Sequence, residues 1–167
     1  MPTKAICHYF HRDIIIPTLK TMNMGGDNIA ELLLGTALVE SRLTWRKQMG
    51  NGPARGLYQM EMATHDDIWD NYLSYRKSLA DKVLQFKTSH KANAEEELIN
   101  NDSYATAMAR VHYARVKEAI PDAGDIVSMA NYWKKYYNTI LGKGFPDKYV
   151  EVWNQTVGEL VCDAKLI

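Results

Sequence analysis

The sequence predicts an all-α chain of one domain, departing from that class only by a small hairpin. Apolar residues recur at three- and four-residue spacing over most of the chain. Gly and Pro punctuate it at Pro17, Gly25-Gly26, Gly50 to Gly56, Pro121 to Gly124 and Gly142 to Pro146, leaving intervals of helical length. No segment alternates apolar and polar residues as a half-buried strand does. With 167 residues and neither repeat nor linker, one domain over 1–167 is expected, long enough to bury its own core.

Taken in order, Asp27 or Asn28 is placed to cap a helix running to about Leu43, and its centre, LLLGTALV, is apolar on every face, as in a helix surrounded by others. Residues 49–61, MGNGPARGLYQME, read as a loop or a short irregular hairpin. Thr64 with Asp67 resembles a capping box that opens one helix through to Phe86, with Ile68, Tyr72, Tyr75, Leu79 and Val83 on one side. The stretch from Lys87 to Glu97 is polar and expected to be exposed. From Ser103, the residues Tyr104, Ala107, Met108, Val111 and Ala114 trace an amphipathic helix that Pro121 should end. Asp125 caps the next helix, whose stripe is Ile126, Met129, Ala130, Trp133, Tyr137, Ile140 and Leu141. Pro146 suits the first turn of a last helix, buried through Tyr149, Val150, Trp153, Val157 and Leu160.

Composition narrows the function classes. With 46% hydrophobic and 24% charged residues, the chain has the make-up of a water-soluble globular domain. Twenty basic and twenty acidic residues leave no net field to attract nucleic acid or an anionic membrane. The longest apolar run, Leu32 to Val39, falls far short of the roughly 20 residues that span a bilayer. The first residues lack the apolar core of a signal peptide, so no export address is expected. Cys7 and Cys162 are expected to be free thiols. Cys7, His8 and His11 lack the second ligand pair of a zinc site, and no metal is expected. Gly50 to Gly56 has no following Lys-Ser/Thr and no preceding strand, so a phosphate-binding loop is not expected there. In the run from Tyr132 to Tyr137, helical periodicity turns Trp133 and Tyr137 inward and leaves the lysines solvated. Tyr132 and Tyr136 could then stack on sugar rings as readily as on bases.

One acidic residue stands out. Glu40 follows eight uncharged residues near the end of the apolar helix and just before the glycine-rich loop. Desolvation there raises a carboxyl pKa toward neutrality. Glycosidic cleavage needs such an acid, able to protonate a poor leaving-group oxygen at neutral pH.

Ala37-Leu38-Val39-Glu40-Ser41, followed by Gly56-Leu57-Tyr58-Gln59, resembles the soluble lytic transglycosylase family, related in fold to goose-type lysozymes. Glu-Ser ends an apolar helix, and Gly-Leu-x-Gln comes after a glycine-containing loop. Residues 60–64, Met-Glu-Met-Ala-Thr, are similar to the family's stretch just after Gly-Leu-x-Gln, although a proline common near Met62 is absent. Ala105 to Arg115 resembles the helix after the catalytic region. The third motif, usually Ala-Tyr-Asn, is matched imperfectly by Ala130-Asn131-Tyr132, while Tyr137-Asn138 has the dipeptide in order. Tyr137 lies on the apolar stripe and Tyr132 off it, so Tyr132 is the favoured counterpart. The resemblance covers about residues 27 to 140 and is best from Leu32 to Asp67.

The resemblance implies a lysozyme-like fold with a groove for alternating N-acetylglucosamine and N-acetylmuramic acid, and no cofactor. Glu40 would protonate the bridging oxygen. The sugar's own N-acetyl group would stabilise the cation-like centre, and the same carboxylate would then deprotonate the C6 hydroxyl to leave a 1,6-anhydro end. Ser41 would orient Glu40 or the acetamido group, Gln59 would hydrogen-bond sugar, Tyr132 would hold the carboxyl, and the backbone around Tyr58 would line the groove, with Gly56 and Leu57 as supporting residues. Hydrolysis is the alternative on the same bond. It needs a second carboxylate to position water, for which Glu61, Asp66 and Asp67 are candidates. A non-enzymatic peptidoglycan-binding or virion protein is the competing class. Without an export signal, such a domain fits a bacteriophage product that reaches the wall with other virion proteins or through a holin. The expected partner is peptidoglycan.

Overall fold

A computed structural model describes residues 1–139 and 142–158. It is mostly helical with one small two-stranded antiparallel sheet. One cluster of buried residues runs from Cys7 to Val157, and no described helix is long and apolar enough to cross a membrane.

The N-terminal helical run consists of α1 (Lys4–Tyr9), a π-helical turn (Phe10–Ile15) and α2 (Ile16–Met22). Pro17 does not break it. The Ile16 N–H reaches five residues back to the His11 carbonyl, and this widened turn relieves the clash between a proline ring and the carbonyl behind it. Cys7 is a buried free thiol; Cys162 lies outside the described residues.

Helix α3 (Asp27–Ser41) is the central element, buried on every face from Ile29 to Leu38. Its cap differs from expectation. Gly26 holds the cap position, while Asp27 and Asn28 belong to the first turn, where Asn28 Oδ1 accepts from the Ile29 N–H at 2.9 Å. The helix stops at Ser41 because Arg42 and Leu43 both turn left-handed, at φ 53° and 52°. Gly35 lets the Tyr149 ring of α9 (Pro146–Thr156) lie against the α3 backbone, where a Cβ would collide with it.

The loop after α3 is a hairpin: β1 (Ala54–Arg55) pairs with β2 (Met60–Glu61), Ala54 opposite Glu61. The single helix expected from Thr64 is in fact α4 (Met62–Asn71), a 3₁₀ turn (Leu73–Tyr75) and α5 (Lys77–Leu84). Glu61 is the residue ahead of α4, so Thr64 lies inside it. Asp67 accepts from Asn71 and Arg115 instead of capping. The chain kinks at Tyr72 and Arg76, whose guanidinium stacks on the Tyr72 ring at 3.8 Å, and the changed phase leaves Tyr75 79% exposed.

The polar stretch ends in α6 (Ala94–Asn100), where Glu97 is buried, contrary to expectation. Its carboxylate accepts from the Thr88 N–H and from Asn101 Nδ2, which supplies the hydrogen bonds a buried charge needs. Helix α7 (Asp102–Ala114) ends well before Pro121. Asp125 caps α8 (Ile126–Trp133) through the Ser128 N–H, and the chain then widens into a second π-helical turn (Lys134–Asn138). Pro146 opens α9, which buries Tyr149, Val152 and Trp153. Ile140, Leu141 and Leu160 lie outside the described residues.

Candidate active site

Glu40 sits in the last turn of α3, on the wall of a groove of about 740 Å³. The hairpin and its approach contribute Lys47, Gln48, Gln59 and Glu61; the end of α8 and the segment after it contribute Trp133, Tyr137, Asn138 and Lys143. Trp45, 53% exposed, adds a free aromatic face.

The Glu40 carboxyl is held from the α8 side. Trp133 Nε1 donates to Glu40 Oε1 at 2.9 Å. Asn138 Oδ1 is taken up by Lys134 Nζ at 2.8 Å and by the Gly144 N–H at 3.3 Å, which leaves its amide N–H groups for Glu40. Burial dominates the electrostatics and raises the Glu40 pKa to about 7, while Trp133, Asn138 and the Lys134 charge pull it down. An indole N–H only donates, so Oε1 serves as its acceptor.

Gly56-Leu57-Tyr58-Gln59 acts chiefly as a support for the groove. Gly56 takes φ +73°, and a Cβ there would strike the Leu98 carbonyl. Leu57 and Tyr58 are buried; the Tyr58 hydroxyl accepts from Thr106 Oγ1 at 3.1 Å, and its backbone carbonyl accepts from the Tyr137 hydroxyl at 2.8 Å. Of the four, Gln59 faces the groove, its Nε2 donating to the Gly56 carbonyl at 2.8 Å. The expectation that the backbone around Tyr58 lines the groove is thus corrected: Gln59 lines it while Gly56, Leu57 and Tyr58 do not, and the Tyr58 carbonyl is taken by the Tyr137 hydroxyl.

Ser41 and Tyr132 also depart from expectation. Ser41 is buried and its hydroxyl donates back to the Ala37 carbonyl at 2.9 Å, as a serine inside a helix readily does, so it is turned away from the groove. Tyr132 is buried and donates to the Glu118 carbonyl at 2.9 Å, whereas Tyr137 lines the groove. The π-helical turn after Trp133 breaks the 100° phase on which the opposite assignment rested. Tyr137 is held by its bond to Tyr58 and by the edge of His112, ring centroids 4.9 Å apart. Burial, then the nearby Glu40, push its pKa well up and keep it a neutral donor.

No protein-family model, curated protein or solved structure matches this chain.

Sequence reasoning missed Trp133 as a hydrogen-bond donor, because its place on the apolar stripe explains the residue fully without its N–H. Asn138, Lys134 and His112 were missed as well. The signal available for Asn138 was the Tyr137-Asn138 dipeptide itself. Of the second-carboxylate candidates, Asp66 pairs with His65 Nδ1 at 2.9 Å and Asp67 with Arg115, while Glu61 lines the groove. The arrangement brings one carboxyl of raised pKa, Glu40, and one exposed carboxyl, Glu61, to the same open groove.

Proposed function

We propose that this protein cleaves the glycan strands of bacterial peptidoglycan between N-acetylmuramic acid and N-acetylglucosamine, as a lytic transglycosylase of lysozyme-like fold. The observation that carries the proposal is Glu40, a half-buried acid of pKa about 7 opening on a groove that Gln59 also faces. Glu40 donates its proton to the bridging oxygen as the C1–O bond breaks. The neighbouring N-acetyl carbonyl shields the cation-like C1. The Glu40 carboxylate then takes the C6 hydroxyl proton, and that oxygen closes on C1 as the 1,6-anhydro ring, restoring the acid. Trp133 and Asn138 hold the carboxylate between the two steps.

Glu61, on the same groove, favours a second reading in which it positions water and the product is hydrolytic. Mass spectrometry of muropeptides released from purified peptidoglycan decides between them. Anhydro ends from wild type, absent with Glu40→Gln, support the transglycosylase; reducing ends point to hydrolysis, with Glu61 the candidate to position water. No products from wild type would overturn cleavage and leave the non-enzymatic binding class.

A further inference from the structure

The chain is electrically balanced, but the groove is not. Lys47, Lys143 and Lys148 line it, against the carboxyls of Glu40 and Glu61. Glu40, with a pKa of about 7, carries only part of its charge near neutrality. Lys148 is neutralised by Glu151 at 2.7 Å. Among the described residues, neither Lys47 nor Lys143 has a carboxylate partner, although the protein holds as many acidic as basic side chains. Both are exposed and belong to different elements that line the groove, Lys47 beside the hairpin and Lys143 in the turn ahead of α9.

Unpaired cations at the rim of a ligand groove select an anion attached to whatever fills the groove. The sugar rings of a glycan strand are neutral. Its negative charge sits on the peptide stems, which extend outward from the muramic acid lactyl groups. We propose that Lys47 and Lys143 bind stem-peptide carboxylates, so that the groove prefers peptide-bearing strands with free carboxyl groups over bare or neutral glycan. This inference rests on the proposed function, since it requires the groove to hold the glycan.

The test uses the full chain with Glu40→Gln, so that probes are bound without being cut. Three soluble probes are titrated: a peptide-bearing muropeptide tetrasaccharide, the same tetrasaccharide stripped by an amidase to its lactyl carboxylates, and neutral chitotetraose. The peptide-bearing probe should bind about tenfold tighter than the stripped one at low salt, a preference that fades as ionic strength rises. Adding Lys47→Gln and Lys143→Gln should collapse it to within about twofold, and arginine at both positions should restore it. Equal affinity for peptide-bearing and stripped probes would overturn the stem assignment while leaving glycan cleavage standing. Binding of none of the three, with no products from wild type, would overturn the proposed function and this inference together.

Discussion

Trp133 Nε1 donates to Glu40 Oε1 over 2.9 Å, joining the end of α8 to the last turn of α3. The bond favours the carboxylate against the burial that disfavours it, so it sets where between the two extremes Glu40 titrates. Trp133→Phe keeps most of the packing and removes the donor. The basic limb of the pH–rate profile for wall cleavage should then move up by about one unit, the equivalent of one hydrogen bond to a charged group. An unmoved limb would show that Trp133 only packs.

Glu40 also makes stability depend on pH. Its folded pKa of about 7 lies above the ordinary value of 4.5, so between these values the folded state keeps a proton that the unfolded chain releases. Stability from this group is therefore lost as pH rises from about 4.5 to about 7. Glu40→Gln removes that loss. The variant should gain on wild type across this window, reaching on the order of 3 kcal/mol above pH 7, while losing glycan cleavage. Urea unfolding of both proteins from pH 4 to 8 reads the difference; a flat difference would contradict the burial argument.

His112 acts in the opposite sense. Burial, then the Arg115 charge, lower its pKa from 6.5 to about 4. The unfolded chain binds a proton there that the folded state refuses, so stability is lost as pH falls from about 6.5 to about 4. Where the two windows overlap, Glu40 and His112 offset each other. His112→Asn should leave a variant that loses less stability than wild type on acidification, and the wild-type imidazole should titrate near pH 4 by NMR. A titration near 6.5 would refute the assignment.

Gly56→Ala should destabilise the protein by about 1–3 kcal/mol, because alanine is strained at φ +73° and its methyl group meets the Leu98 backbone. Displacing this turn also moves Gln59 and the Tyr58 carbonyl that holds Tyr137. Cleavage should therefore fall even at temperatures where the variant remains folded, measured by thermal unfolding alongside turnover.

The all-α class, the buried run from Leu32 to Leu38, the hairpin within residues 49–61 and Glu40 as the acid candidate were legible in the sequence. Each depends on local pattern: apolar spacing, glycine and proline placement, one carboxyl after a long uncharged stretch. Tertiary structure alone decided what surrounds that carboxyl. Trp133 lies 93 positions along the chain from Glu40, and no local periodicity reports that an indole N–H on a buried stripe will end at its oxygen. The choice of Tyr137 over Tyr132 turned on a π-helical turn, where one widened ring shifts every later side chain around the axis. Ser41, next to Glu40 in sequence, was lost to its own helix because its hydroxyl found the Ala37 carbonyl first. Patterns of burial are written residue by residue, since each side chain carries its own hydrophobicity. The partners of a buried polar group are set by helix packing and helix phase, which belong to the folded chain as a whole.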